Sequence, residues 1–78
     1  KALAQEVASR GVTVNVVAPG IIDSPMVEGL FDAETVARMV PMKRMGTSQE
    51  VAALVAFLAS KDAGYITGQI ISINGGMI

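Results

Sequence analysis

Val12-Thr-Val-Asn-Val-Val-Ala18 is followed at once by Pro19-Gly20. The run is rich in β-branched residues and almost continuously apolar. That is the pattern of a strand covered on both faces, as in a parallel sheet with helices on each side. Pro19 closes the run, and Gly20 is expected to let the backbone turn sharply. Upstream, Lys1–Arg10 reads as the end of a helix, with Leu3, Val7, Ala4 and Ala8 on one side. Gly11 falls where a C-terminal cap belongs, and Arg10 sits beside the negative end of the helix dipole. Downstream, Thr47-Ser-Gln-Glu50 fits a capping box. It opens a helix that runs to about Ser60, with Val51, Leu54, Val55 and Leu58 as its apolar stripe. Gln69–Ile73 reads as a second short strand, apolar on both faces. The order is helix, strand, helical excursion, helix, strand. It predicts an α/β chain: part of a doubly wound parallel sheet, its two strands neighbours joined by a right-handed crossover.

The excursion Ile21–Gly46 has helical pieces of its own. Ser24-Pro25 reads as a helix start, with Ser as N-cap and Pro in the first turn. Asp32 opens a second segment that carries Val36, Met39 and Val40 at helical spacing, and Pro41 stops it. Met26, Met39, Met42 and Met45 cluster here, and methionine suits a pocket of adaptable shape. Lys61–Gly68 is expected to be a loop, and Asn74-Gly75-Gly76 a turn.

Composition sets limits. The chain has 78 residues, 51% hydrophobic and 17% charged, with six Lys and Arg against seven Asp and Glu. That excludes intrinsic disorder and argues against a nucleic-acid binder, since too few cations exist to make a basic face. Cys and His are both absent, which removes disulfides, thiolate chemistry and His-based triads or zinc sites. The longest apolar run, Val51–Ala59, is too short to cross a bilayer, so no membrane role is expected. Lys1–Glu6 carries charges where a signal peptide is apolar, which predicts a cytoplasmic protein. So small a chain with so apolar a composition, beginning inside a helix, is expected to be part of a larger globular unit.

In open parallel sheets, ligands bind beyond the carboxyl ends of strands. Pro19-Gly20-Ile21-Ile22-Asp23-Ser24 lies at that end of the first strand. The amide and carbonyl of Ile21 or Ile22 are placed to face a ligand there, and Ser24 adds a hydroxyl. The helix after Ser24 would add free amides suited to phosphate or carboxamide oxygen. An ordinary strand-to-helix turn with a serine cap explains the same residues. Lys61 and Tyr65 stand one helical turn apart but fall in the loop, where a packed tyrosine and a solvated lysine are expected. Arg10, Lys43 and Arg44 are cations suited to an acidic partner, and by default each is read as solvated. No glycine-rich phosphate loop and no paired-carboxylate spacing is present.

Asn15-Val-Val-Ala-Pro-Gly20, Tyr65-Ile-Thr-Gly68 and Asn74-Gly-Gly76 together resemble the C-terminal third of the short-chain dehydrogenase/reductase family. EVASRGVTVNVVAPG, FLAS and YITGQ…INGGM look most like its bacterial 3-oxoacyl-[acyl-carrier-protein] reductase branch. The resemblance implies a Rossmann-type fold, residues 1–78 being its C-terminal part with a lid at about 23–46. It implies NADPH as cofactor and an acyl-carrier protein bearing a 3-oxoacyl thioester as partner, in a homotetramer. By that resemblance Pro19, Gly20, Ile22 and Ser24 contact the cofactor. Met26, Leu30 and Met39 belong to the lid over the acyl chain, and Arg10 docks the carrier protein. The family's catalytic Ser, Tyr, Lys and Asn precede the matched region, so no catalytic residue is expected in this segment. Gln69 stands where some members place an acid near a cation, so no metal is expected. Other members that act on a sugar, polyol, steroid or specialised acyl chain share the resemblance. A non-catalytic assembly module would share it too.

Overall fold

The computed structural model describes residues 1–77. Helix α1 spans Ala2–Val7 and buries Ala4 and Val7. One turn of 3-10 helix, Ala8–Arg10, continues it and ends at Gly11, which takes the left-handed conformation (φ 75°) and returns its N–H to the Ala8 carbonyl. The expected cap is therefore present. Leu3 departs from the expected apolar side and stands exposed.

Strand β1 spans Val16–Pro19 and β4 spans Ile70–Ile73. They pair in parallel, Val16 opposite Ile70 and Pro19 opposite Ile73. The expected parallel neighbours are thus in place, but β1 starts four residues later than Val12. The reason lies in the partner segment, which bends at Gly68 (φ 72°) and offers no extended backbone further back. Side chains replace the ladder there. Val14 N–H donates to Thr67 Oγ1 at 3.0 Å, and Gly68 N–H to the Val14 carbonyl at 2.8 Å. The Asn15 amide donates to the Ile66 carbonyl at 3.0 Å and accepts from Gln69 N–H at 3.1 Å.

Full burial of both strand faces is not found. Val16 is 54% and Ile70 67% exposed. The closest packing between elements is strand to strand, and neither α1 nor the later helices blanket the ladder. Among the described residues the buried apolar ones are few: Ala4, Val7, Val36, Val40 and Ala63. The radius of gyration, 15.2 Å, exceeds the ~11–12 Å of a compact domain of this length.

Between the main strands, two two-residue strands that sequence reasoning missed, β2 (Ile22–Asp23) and β3 (Gly46–Thr47), pair in parallel. They close the base of the excursion. Its helical part is α2, Ala33–Met39, with Asp32 as N-cap accepting from Thr35 N–H at 2.7 Å. That hydrogen bond holds the Asp32 carboxyl below its ordinary pKa. Val36 and Val40 are buried, as the spacing predicted. The expected helix at Ser24-Pro25 does not form. Val27 N–H bonds Ser24 O at 3.1 Å and Leu30 N–H bonds Val27 O at 3.0 Å, two successive turns of the tighter i to i+3 type. Gly29 enters the left-handed region (φ 80°) before a helix can propagate.

Helix α3 spans Ser48–Leu58 behind a complete capping box, Thr47 accepting from Glu50 N–H and Glu50 accepting from Thr47 N–H. The predicted Lys61–Gly68 loop contains a 3-10 turn, Lys61–Ala63, that buries Ala63. Tyr65 is fully exposed rather than packed. The Asn74-Gly75-Gly76 turn forms as expected, and Asn74 Oδ1 accepts from Gly76 N–H at 3.0 Å.

Gly20 does not use the left-handed region. It is required for space: a Cβ there would lie 2.8 Å from Asn74 Cβ and 3.0 Å from Asn74 Cα. Both obstacles are rigid, so Gly20→Ala is expected to destabilise the protein by about 1–3 kcal/mol, read as a lower urea midpoint.

Candidate functional site

The segment Pro19–Ser24 leaves the carboxyl end of β1, as the sequence pattern predicted. Gly20 N–H still bonds the Ile73 carbonyl at 3.0 Å, so the turn is fixed to the end of β4. The chain then enters β2. Gly46 N–H donates to Ile21 O at 2.9 Å, with Ile22 opposite Gly46. In a parallel ladder, that register points the N–H and C=O of Ile22 away from β3. A donor and an acceptor thus stand side by side on the open edge of β2. A primary carboxamide presents the complementary pair, so the residues fit the amide end of a nicotinamide.

Two concavities meet at Ile22. A cleft of about 360 Å³ lies between the ends of β1 and β4 and the base of the excursion, lined in part by Ile21, Ile22, Met42, Arg44, Glu50 and Asn74. An open apolar groove borders Pro19, Ile22, Val51 and Val55 between β1 and α3. The base of the excursion is anchored to the glycine turn. Met42 N–H bonds the Gly75 carbonyl at 3.1 Å, and a Cβ on Gly75 would lie 2.7 Å from Val40 Cγ1.

Pro19, Gly20, Ile22 and Ser24 are brought together by chain continuity, with Gly20, Ile22 and Ser24 half-buried. Without a helix after it, Ser24 is no N-cap, and the helix N-terminus expected there does not form. Met26 and Leu30 are 89% and 69% exposed, and Met39 also faces outward. None of the three lines the cleft; Met42 is the excursion's methionine that does. Arg10 is exposed at the opposite end of the β1 segment from Pro19.

Arg44 is not the free cation expected. Its two terminal nitrogens lie 2.8 Å from the two Glu50 carboxylate oxygens, a bidentate pair. Glu50 Oε1 also accepts from Thr47 N–H at 3.0 Å. Hydrogen bonding from Arg44, then from the Thr47 backbone, pulls the Glu50 pKa down to about 2. The same pair raises that of Arg44. The capping box placed Glu50 correctly, but the i to i+6 reach from Arg44 has no helical or strand periodicity to reveal it.

A family model described as Enoyl-(Acyl carrier protein) reductase matches residues 1–78. The chain belongs to the short-chain dehydrogenase/reductase family, and its α/β fold with parallel strands is of that Rossmann type. It is 54% identical to the 3-oxoacyl-[acyl-carrier-protein] reductase FabG of Escherichia coli K12 and 56% identical to Nodulation protein G of Rhizobium sp. strain N33. The corresponding reductase of Vibrio cholerae is 53% identical. Each comparison covers 99% of this chain and 32% of the relative. The chain thus spans about a third of the length of these curated relatives.

The pair gives a signed pH expectation. Glu50 titrates lower in the folded chain than its ordinary 4.5, so its contribution is complete above about 4.5 and fades as pH falls toward about 2. Urea unfolding at stepped pH is therefore expected to show wild type only slightly more stable than Glu50→Gln at neutral pH, as befits an exposed pair, the small gap closing across that window.

Proposed function

We propose that residues 1–78 are the C-terminal part of a single nicotinamide-binding Rossmann-type domain in a longer chain, the lid lying at about 23–46. We propose that the intact chain reduces 3-oxoacyl-[acyl-carrier-protein] to the 3-hydroxyacyl thioester with NADPH in the cytoplasm, as part of fatty-acid biosynthesis. The observation that carries this reading is the 54% identity to named 3-oxoacyl-[acyl-carrier-protein] reductases across 99% of the chain. NADPH, when bound, supplies the hydride that reduces the keto carbon. This segment binds and orients. The Pro19-Gly20 turn packs beside the nicotinamide ring. Ile22 N–H donates to the carboxamide oxygen, and Ile22 C=O accepts from the carboxamide nitrogen. The Ser24 hydroxyl adds a cofactor contact. Met26, Leu30 and Met39, outward-facing in this structure, are assigned to a lid that swings in over the acyl chain and excludes water. Arg10 meets the acidic carrier protein, and α3 and β4 contribute to a homotetramer. The proton donor, a tyrosine whose pKa a lysine lowers, belongs to sequence before Lys1.

A second reading has a specific observation behind it. The 56% identity to Nodulation protein G, a relative whose name gives no acyl-carrier substrate, keeps open a family member that acts on another substrate. A substrate panel on the intact enzyme separates the two. A non-catalytic assembly module is separated by the upstream sequence, where the enzyme requires Tyr-x-x-x-Lys with a serine before it.

Two outcomes are expected. The isolated 78 residues show no NADPH oxidation with an acyl thioester; detectable turnover refutes the division of labour. In the intact enzyme, Arg10→Glu raises KM for carrier-linked substrate by about five- to tenfold and leaves KM for an N-acetylcysteamine thioester unchanged.

A further inference from the structure

We infer that the Arg44–Glu50 pair is a positioning device, which fixes β3 against β2 and so sets the cofactor-facing backbone of Ile22. The inference rests on the proposed nicotinamide contact and adds residues to it.

Ile22 sits on a strand only two residues long, and its strand partner is β3, equally short. Ladders of that size do not hold themselves. One carboxylate gathers the segment around β3. Glu50 takes both terminal nitrogens of Arg44 at 2.8 Å, the Thr47 N–H at 3.0 Å and the Thr47 hydroxyl at 3.3 Å. Arg44 also donates to the Met45 carbonyl at 3.1 Å. Residues 44, 45 and 47 are thereby tied to the first turn of α3, with Gly46 held between them.

Gly46 transmits the placement. Its N–H reaches Ile21 O at 2.9 Å, and a Cβ on it would lie 2.9 Å from Ile22 Cδ1. A shift of β3 therefore moves Ile21 and Ile22 directly. The approach to Arg44 is strained, since Lys43 has φ 63°, a region that residues with a side chain rarely adopt. Such a conformation persists where neighbouring contacts hold it, and here the Lys43 N–H bond to the Val40 carbonyl at 2.7 Å lies on one side and the Arg44 fork on the other. The pair also stands at the base of the excursion, where Arg44 precedes β3 and Glu50 follows it in α3.

Helix capping alone does not account for the arrangement. The cap needs Thr47 and Glu50 and makes no use of Arg44. Nor does bulk stability: the two side chains are 54% and 42% exposed, and ion pairs so wet contribute little to folding. What the bidentate fork supplies is geometry.

The test uses the full-length chain, as wild type, Arg44→Met, Arg44→Lys and Glu50→Gln. Gln at position 50 preserves the capping box, so that variant carries the test if Arg44→Met fails to fold. Dissociation constants are measured for NADPH and for adenosine 2′,5′-bisphosphate, which lacks the nicotinamide. Arg44→Met and Glu50→Gln are expected to weaken NADPH about fivefold or more, the equivalent of one misaligned hydrogen bond. Affinity for the bisphosphate stays at the wild-type value. Arg44→Lys recovers less than half of the loss, because an ammonium cannot make the fork. Unchanged NADPH affinity, or parallel losses for both ligands, overturns the inference. A wild type that fails to bind NADPH overturns the underlying functional reading instead.

Discussion

The parallel pairing of β1 with β4 is the constraint on which the rest depends. It brings residues more than fifty positions apart into register, Val16 with Ile70 and Pro19 with Ile73. Its far end is finished by the Gly20–Ile73 hydrogen bond and by the close approach of Gly20 to Asn74. That approach decides where the chain goes next. Ile21 and Ile22 are carried past the ends of both strands, and the glycine turn becomes the seat on which Val40, Pro41 and Met42 rest. A parallel sheet needs a long connection to return the chain in the same direction. This chain uses that connection as the body of the site.

The two small strands add a second level. β1 and β4 fix the position of the bend, whereas β2 and β3 fix the orientation of its backbone groups. With Gly46 bonded to Ile21, the register turns the Ile22 amide and carbonyl outward. The recognition surface proposed for the nicotinamide is therefore main chain. Side-chain changes in the excursion can alter what lies above that surface without altering the surface itself.

The legible parts of the sequence were those decided within a few residues. The Gly11 cap, the Asp32 cap and the Thr47–Glu50 box each depend on a partner three or four positions away, and all three form. The two main strands were legible from their β-branched runs and the bend from its Pro-Gly. The start of β1 was not, because it depends on where Gly68 turns the opposing segment. Ser24-Pro25 carried the right residues for a helix start, but Gly29 turns the chain into the left-handed region before a helix can propagate. β2 and β3 have no periodicity to read at two residues each. Arg44 was misread for the same reason, since its partner is reached only once Lys43 has turned the chain and β3 has docked. Of the candidate site, the backbone portion was placed by its position after β1. The outward stance of Met26 and Leu30 reflects a segment held at its base and free of packing at its tip.

One consequence follows from the hydrogen bonds of β1. Val16 and Gly20 direct their amides to β4, so Val17 lies on the opposite margin with its peptide groups unspent. Val16 and Ile70 add uncovered apolar area beside it. A margin of this kind is a template on which another extended chain can be laid. In the longer chain this margin is where a further strand of the same sheet would be laid, so the four residues of β1 would become an interior strand rather than an edge.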